Sequence, residues 1–348
     1  MKIKFLFILL FMFAFGFGLN AQTLLVEDFA YPAGDSLGAH GWVSFSGSNT
    51  NVLSVVSPGL TFTGYIGSGI GNATHVSNTG QDAYKGFDSV TSGSIYAAMM
   101  VRIDTGHTGD YFSALLPPTS TTNYTARLYA KDTAGSVAFG ISKGAASGGP
   151  IVYGNNGYTY GTVYVLVLKY KFNTGTTTDD EISLYVFSAA LPLTEPSTPY
   201  LGPVLGTVND ATSLGRIALR QGTTASSATL GVDGIRVTKS WSNIVTSVNT
   251  ISTNVPSGFT LSQNYPNPFN PVTNIRFAIP SNGFVTLKVF NALGKEVSNL
   301  VNQNMNAGTF EVKFDGAKLA SGMYFYKMSF IADNGKLFAD TKKLMLVK

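Results

Sequence analysis

Val163-Tyr-Val-Leu-Val-Leu-Lys-Tyr-Lys-Phe172, the loop Asn173-Thr-Gly-Thr-Thr-Thr-Asp-Asp180 and Glu181-Ile-Ser-Leu-Tyr-Val-Phe187 read as a β-hairpin. Side chains alternate across a strand, so Tyr164, Leu166, Leu168 and Tyr170 share one face and Val163, Val165 and Val167 the other. Both faces are apolar, which predicts a central strand covered on both sides. The second arm alternates better and belongs nearer an edge.

Outward from this hairpin, residues 22–241 read as β throughout. Short apolar or alternating runs at 23–29, 93–103, 126–130, 137–141, 216–221 and 231–238 are broken by Gly, Ser, Thr, Asn and Pro every 8 to 12 residues or so, the pattern of a sandwich. No stretch carries a 3.6-residue period with caps. Residues 188–210 hold Pro192, Pro196, Pro199 and Pro203 and read as a stiffened loop. The run 24–34, Gly41-Trp42, the hairpin, 218–222 and Val232-Asp-Gly-Ile-Arg-Val237 together resemble exported concanavalin-like or laminin-G-like jelly-roll modules. That resemblance implies a two-sheet sandwich and leaves function open, because the fold carries lectins, glycoside hydrolases and structural modules.

The last ninety residues form a second unit. Tyr265-Pro-Asn-Pro-Phe-Asn-Pro271 is an extended, turning lead-in, since each proline fixes its own φ and extends the residue before it. β-like runs follow at 273–279, 284–290, 309–314, 323–330 and 336–347, separated by turn signals that include Ala292-Leu-Gly294 and Ser321-Gly322. The lead-in, Leu287-Lys-Val-Phe-Asn-Ala-Leu-Gly-Lys-Glu-Val297, Leu319-Ala-Ser-Gly-Met-Tyr-Phe-Tyr326 and Lys342-Lys-Leu-Met-Leu-Val-Lys348 resemble, in that order, the type A C-terminal sorting domain of the type IX secretion system of Bacteroidetes-like bacteria. The resemblance covers 259–348 and implies an Ig-like sandwich whose signal is carried by Tyr265, Pro266, Asn267, Pro268, Phe269, Asn270, Pro271, Gly294, Ser321, Gly322, Tyr324 and Lys343. It implies the secretion machinery and its sorting protease as partners, export to the cell surface or medium, and a cut in the linker 242–258. In the final strand, Leu344 and Leu346 fall on one face, Lys343, Met345 and Val347 on the other.

Lys2 and Lys4 followed by the apolar run 5–18 and Leu19-Asn-Ala21 form a secretory signal peptide over 1–21, with the cut before Gln22. The run is shorter than the roughly 20 residues of a spanning helix, and no later stretch reaches that length. The mature chain is expected to have no transmembrane segment. There is no cysteine, which excludes disulfides, thiolate nucleophiles and Cys-bound metal. Residues 22–241 carry 11 Lys and Arg against 14 Asp and Glu, whereas 242–348 carry 10 against 5. The basic residues are spread singly, so nucleic acid is not an expected partner.

Three chemistries bear on the first unit. No Glu-x-Asp run places two carboxylates on one strand face for glycoside hydrolysis, and Asp179-Asp180-Glu181 reads as a solvated turn. His40, His75 and His107 lie in loops without a nucleophile elbow or zinc spacing, so no catalytic residue is assigned. Glu27 and Asp28, ending the first strand, and Asp233, beginning the last, would suit a structural Ca²⁺ if those strands lie side by side with Asp233 on the face of Ile235 and Val237; the alternative is that Asp233 caps a turn. Trp42, Tyr153, Tyr158 and Tyr160, in Gly/Asn-rich sequence, are candidates for stacking on a polysaccharide, or for rim packing. Trp241 reads as a core plug at the unit's end. The expectation is an exported, non-catalytic, glycan-binding or adhesive sandwich, with a ligand-free structural protein or a hydrolase- or lyase-like enzyme as alternatives.

Overall fold

The structure, a computed structural model, describes residues 23–47, 49–144, 150–155, 157–206, 208–245, 248–252, 254–317 and 319–348. The expected signal peptide 1–21 and its expected cut before Gln22 lie outside the described residues. Among them there is no α-helix, only the 3-10 turns Leu37–His40 and Trp241–Asn243, and no helix long and apolar enough to cross a membrane. Every ladder between the strands is antiparallel.

Two sheets stack over residues 23–238. The first has eight strands, in the order Leu201–Val204, Glu181–Phe187, Val163–Phe172, Gly93–Thr105, Thr229–Thr238, Ala73–Val76 and Ser54–Val56, with Thr23–Glu27 also pairing to Thr229–Thr238. The second has seven: Val152–Tyr153, Ser136–Lys143, Ala126–Thr133, Asp110–Leu116, Leu214–Leu219, Asp82–Val90 and Val43–Ser46. The core between them takes Leu166, Leu168, Met99 and Val101 from one sheet and Phe112, Leu115, Phe139 and Ile217 from the other. This is an all-β, two-sheet antiparallel sandwich, as the strand pattern predicts.

Val163–Phe172 is central, between Gly93–Thr105 and Glu181–Phe187. Its valines at 165 and 167 enter a separate cluster on the sheet's outer side, roofed by Leu60, Leu191, Trp241 and Ile244. Trp241 is the expected plug, edge-on to Tyr96 and Tyr185. The proline-rich stretch contains a short edge strand, Leu201–Val204, whose Pro203 sits where no ladder donor is needed.

The first and last strands of the sandwich do pair, Glu27 opposite Ile235. The expected parity of Asp233 fails, however. It lies in the middle of its strand, where the register slips between Asp233 and Arg236 and Gly234 takes φ +59°. This bulge lets Leu230 and Val232 before it, and Ile235 and Val237 after it, all face the core. Asp233 is thereby turned toward the roof segment, accepting hydrogen bonds from the amides of Leu60 (2.7 Å) and Gly234 (2.6 Å).

The second unit has two four-stranded sheets. One is Val248–Ser252, Gly308–Asp315, Val272–Ile279 and Thr260–Leu261; the other is Glu296–Met305, Gly283–Asn291, Gly322–Ala332 and Leu337–Leu346. Their shared core includes Phe277, Val285, Leu287, Val312, Phe314, Tyr326, Phe330, Leu344 and Leu346. Three of these strands lie outside the expected runs, the short Thr260–Leu261 among them. The polar sequence of Glu296–Met305 gives no alternation that reads as a strand. Val248–Ser252 falls in the interval 242–258 read as linker, yet it pairs with Gly308–Asp315. The same interval begins with Ile244 and Val245 buried in the roof of the first sandwich.

Candidate functional site: an aromatic and cationic sheet face

The outer face of the seven-stranded sheet differs from that of its partner. Alternation turns Leu128 and Ala130 of Ala126–Thr133 into the core. Arg127, Tyr129 and Lys131 must then point outward. In Leu214–Leu219 and the residue after it, Ile217 and Leu219 turn inward while Arg216, Ala218 and Arg220 turn outward. Neighbouring strands add Tyr84, Tyr111 and Tyr153, and Tyr124 and Phe45 pack at the rim.

The rings and cations interleave. The Arg127 guanidinium lies 5.4 Å from the Tyr111 ring centre and 5.8 Å from that of Tyr129. Arg220 lies 4.2 Å from Tyr111, Arg216 4.0 Å from Tyr84, and Lys131 4.1 Å from Tyr153. Tyr111 meets Tyr124 edge-on at 5.1 Å and Tyr129 at 5.6 Å. Such cation–π contacts hold flat side chains at defined tilts. Tyr111 and Tyr129 form a buried floor, while Tyr84, Tyr124, Tyr153, Arg216 and Lys131 are half-buried.

Two carboxylates share the face. Asp110 receives Arg220 at 2.8 Å, both Ser226 and Ser227 hydroxyls, and the Tyr111 amide. Asp82 receives the Ser46 hydroxyl and the Gln221 amide; burial pushes its carboxyl above the usual range. Arg220 sits between the two. Burial also raises the phenols of Tyr111 and Tyr129, and that of Tyr153 to about 12. The rings are therefore neutral phenols near neutral pH, suited to stacking and hydrogen bonding.

The residues chosen from sequence scatter. Tyr153 reaches this face. Tyr158 turns inward against Phe139, Tyr164 and Tyr200. Tyr160 donates to Asp132 at 2.5 Å on the edge of the sandwich. Trp42 is a correction: it is 2% exposed, stacked on Phe29, with Nε1 donating to Glu27 at 3.0 Å. The left-handed Gly41 that ends the preceding 3-10 turn is followed at once by a ring dropped into the core.

Glu27, Asp28 and Asp233 do not converge as a metal set. Glu27 receives the Phe29 amide, the Trp42 indole, the Tyr31 hydroxyl and the Lys85 ammonium. Asp28 pairs with Arg236 at 2.5 Å, and Asp233 holds its two amides. Each acid is met by N–H and O–H donors, where a calcium ion needs oxygen donors.

Among the described residues, the acidic group whose oxygens lie within 4.8 Å of one another is Asp179, Asp180 and Asp210. It receives the fully buried Lys143 ammonium through Asp210. Asp180 is not the solvated turn expected: it is 1% exposed and accepts from Tyr170 and the Asn173 amide, both at 2.6 Å. Of the histidines, His40 stacks on Tyr31 and meets Asp35 at 3.0 Å, and His75 lies 4.0 Å from Asp104.

The missed residues, Tyr84, Arg127, Tyr129, Lys131, Arg216 and Arg220, left a signal. Arg-Leu-Tyr-Ala-Lys at 127–131 alternates cation, core, ring, core, cation, and Arg216 and Arg220 repeat that spacing.

In the second unit the motifs gather. Phe269 is buried against Leu346, donating to the Met345 carbonyl and accepting from Val347. Asn267 accepts from the Met345 amide at 2.9 Å, and Ser321 from the Lys348 amide at 3.0 Å. Pro271 accepts from Gly316, and Tyr324 donates to Ala320. Gly294 supplies a left-handed turn at φ +76°. Tyr265 is 82% exposed, and Lys343 is exposed while Leu344 and Leu346 are buried, as the alternation predicts.

Residues 263–345 match the family model described as "Secretion system C-terminal sorting domain". The chain therefore carries a type IX sorting tail and is exported, to the cell surface or the medium. No curated protein matches it. Solved structures similar to it include alginate lyase Aly36B with an alginate trisaccharide (16% identity, TM-score 0.40, 63% of this chain and 98% of that one). Others are alginate lyase vAL-1 from Chlorella virus (10%, 0.35, 57% and 93%) and the carbohydrate-binding module CBM66 from Bacillus subtilis (12%, 0.28, 56% and 93%). At these values the likeness is one of all-β sandwich architecture alone.

Proposed function

We propose that the chain is an exported, non-catalytic polysaccharide-binding protein, and that the aromatic and cationic face of the seven-stranded sheet is its binding surface. The observation that carries this reading is the asymmetry between the sandwich's two outer faces. One is roofed by Leu60, Leu191, Trp241 and Ile244. The other keeps half-buried tyrosine rings at its rim, held at fixed tilts by Arg216 and Lys131. Sugar rings offer apolar faces and hydroxyl edges, which such rings and cations match. Binding is preferred to hydrolysis because Asp82 and Asp110 are both engaged, by Arg220, by hydroxyls and by amides, and neither is free to act as acid or base.

The test uses the mature full-length chain in affinity electrophoresis through gels containing individual polysaccharides. Retardation in at least one gel is expected, with Tyr153→Ala and Tyr124→Ala relieving it at unchanged melting temperature and no new chain ends released. Absence of retardation throughout, or relief only in variants that have lost their fold, would overturn the reading.

A further inference from the structure

Building on that reading, we infer that the polysaccharide bound by this face is an acidic one, bearing carboxylates or sulfates along its length. Four of the 11 cationic side chains in residues 22–241 stand on this one face, in a segment that is net negative. They form two pairs of the same spacing. Arg216 and Arg220 are four residues apart on one strand line, and so are Arg127 and Lys131 on another. Residues so spaced are about 13 Å apart along a strand. The strand Asp110–Leu116 runs between the two lines, which puts them about 10 Å apart. The result is a slanted parallelogram of cations, since Arg216 is opposite Leu116 and Arg127 opposite Ala114, with the Tyr111 ring between Arg127 and Arg220.

The members differ in what holds them. Arg220 is matched by Asp110, and its charge is satisfied locally. Arg216 donates to the Ser120 carbonyl and lies on Tyr84; Lys131 lies on Tyr153. Neither Arg216 nor Lys131 makes an ion pair among the described residues, unlike Lys85, Lys143, Lys169, Arg102 and Arg236. A half-buried cation on an aromatic face, with no carboxylate beside it, keeps donors for an arriving anion. These two stand on lines on either side of Asp110–Leu116 and toward opposite ends of the face, since Arg216 is opposite Leu116 and Lys131 follows the residue opposite Asp110. A neutral glycan would leave both charges unmatched. A polymer with repeated acidic groups meets both at once, with its ring faces against the half-buried Tyr84, Tyr124 and Tyr153.

The experiment measures binding of the mature full-length chain to polygalacturonate, dextran sulfate, neutral dextran and single-stranded DNA. Polygalacturonate or dextran sulfate should bind, dextran should not, and raising salt should weaken binding as the charges are screened. Arg216→Gln and Lys131→Gln should each weaken it by about tenfold, the worth of one charge-assisted hydrogen bond. Lys239→Gln, an exposed cation elsewhere on the sandwich, should leave it unchanged. Retention of a neutral glycan, lost in Tyr153→Ala but not in Arg216→Gln, would overturn the acidic assignment while leaving the binding face standing. Equal losses in Lys239→Gln, or DNA bound as tightly as either polysaccharide, would reduce the effect to net charge and overturn it. Failure to bind any polysaccharide would remove both readings.

Discussion

Phe269 donates its amide to the carbonyl of Met345 at 2.9 Å, tying the proline-rich lead-in to the last strand, seventy-six positions later. The ring beside that bond is 2% exposed and packs on Phe314. The two ends of the sorting motif thus form one surface that exists only when the domain is folded. Phe269→Ala should cost roughly 3–5 kcal/mol, the usual loss for a buried Phe. Removal of 337–348, which strips one strand from its sheet, should leave the protein in the periplasm near full length. Denaturant melts of the mature chain check the first and cell fractionation the second; arrival of the truncated protein at the surface or in the medium would refute the folded-signal reading.

Trp42 lies in the core, so its loss should register in stability and leave ligand affinity alone. Trp42→Ala is expected to destabilise by roughly 3–5 kcal/mol. Retention in a polysaccharide gel, run well below the lowered melting temperature, should stay at the wild-type value. A variant that kept its melting temperature and lost retention would restore Trp42 as a ligand contact.

Asp233 should make stability fall as pH rises. Burial raises its carboxyl to about 8, against the pull of the Leu60 and Gly234 amides and Arg236 and with a push from Asp28. The folded protein therefore keeps a proton that the unfolded chain releases near pH 4. Stability declines between about pH 4 and about pH 8 on this account, and levels off above. Asp233→Asn cannot release that proton. Its melting temperature relative to wild type should accordingly rise from pH 5 to pH 8. Parallel pH profiles for the two proteins would contradict the assignment.

Lys143 is fully buried, with its ammonium on Asp210 and the Thr178 carbonyl. Removing one member of a buried pair strands the other charge, so Lys143→Met should cost roughly 3–5 kcal/mol. The double variant Lys143→Met, Asp210→Leu should recover much of that loss. Additive losses in denaturant melts would show that the pair does not act as a unit.

The elements legible in the sequence were those whose pattern is local. Two apolar faces on 163–172 marked a central strand, and alternation in 343–347 gave the buried row. Motif order identified the tail. Parity failed at Asp233 because one left-handed glycine resets it, and only Gly234 in the sequence hinted at that. Trp42 misled because glycine-rich surroundings look like a loop whether the ring points out or in. The binding face was hidden for a different reason. Arg127, Arg216 and Tyr84 lie on three strands far apart in sequence, and no reading of single strands reveals that they are neighbours until the strand order is known.

The strand Val248–Ser252 carries a consequence for release of the exported protein. Two positions separate it from Val245, which belongs to the first sandwich. If, as the resemblance to sorting domains implies, a protease cuts between the two units, it meets one of two situations. Cutting upstream of Val248 leaves both sheets of the tail whole. Cutting downstream of Ser252 leaves those five residues on the cargo and peels an edge from Gly308–Asp315. The first scission would shed a tail with every strand in place; the second would shed one that has lost an edge strand. The new N-terminus of the shed tail reports which has occurred.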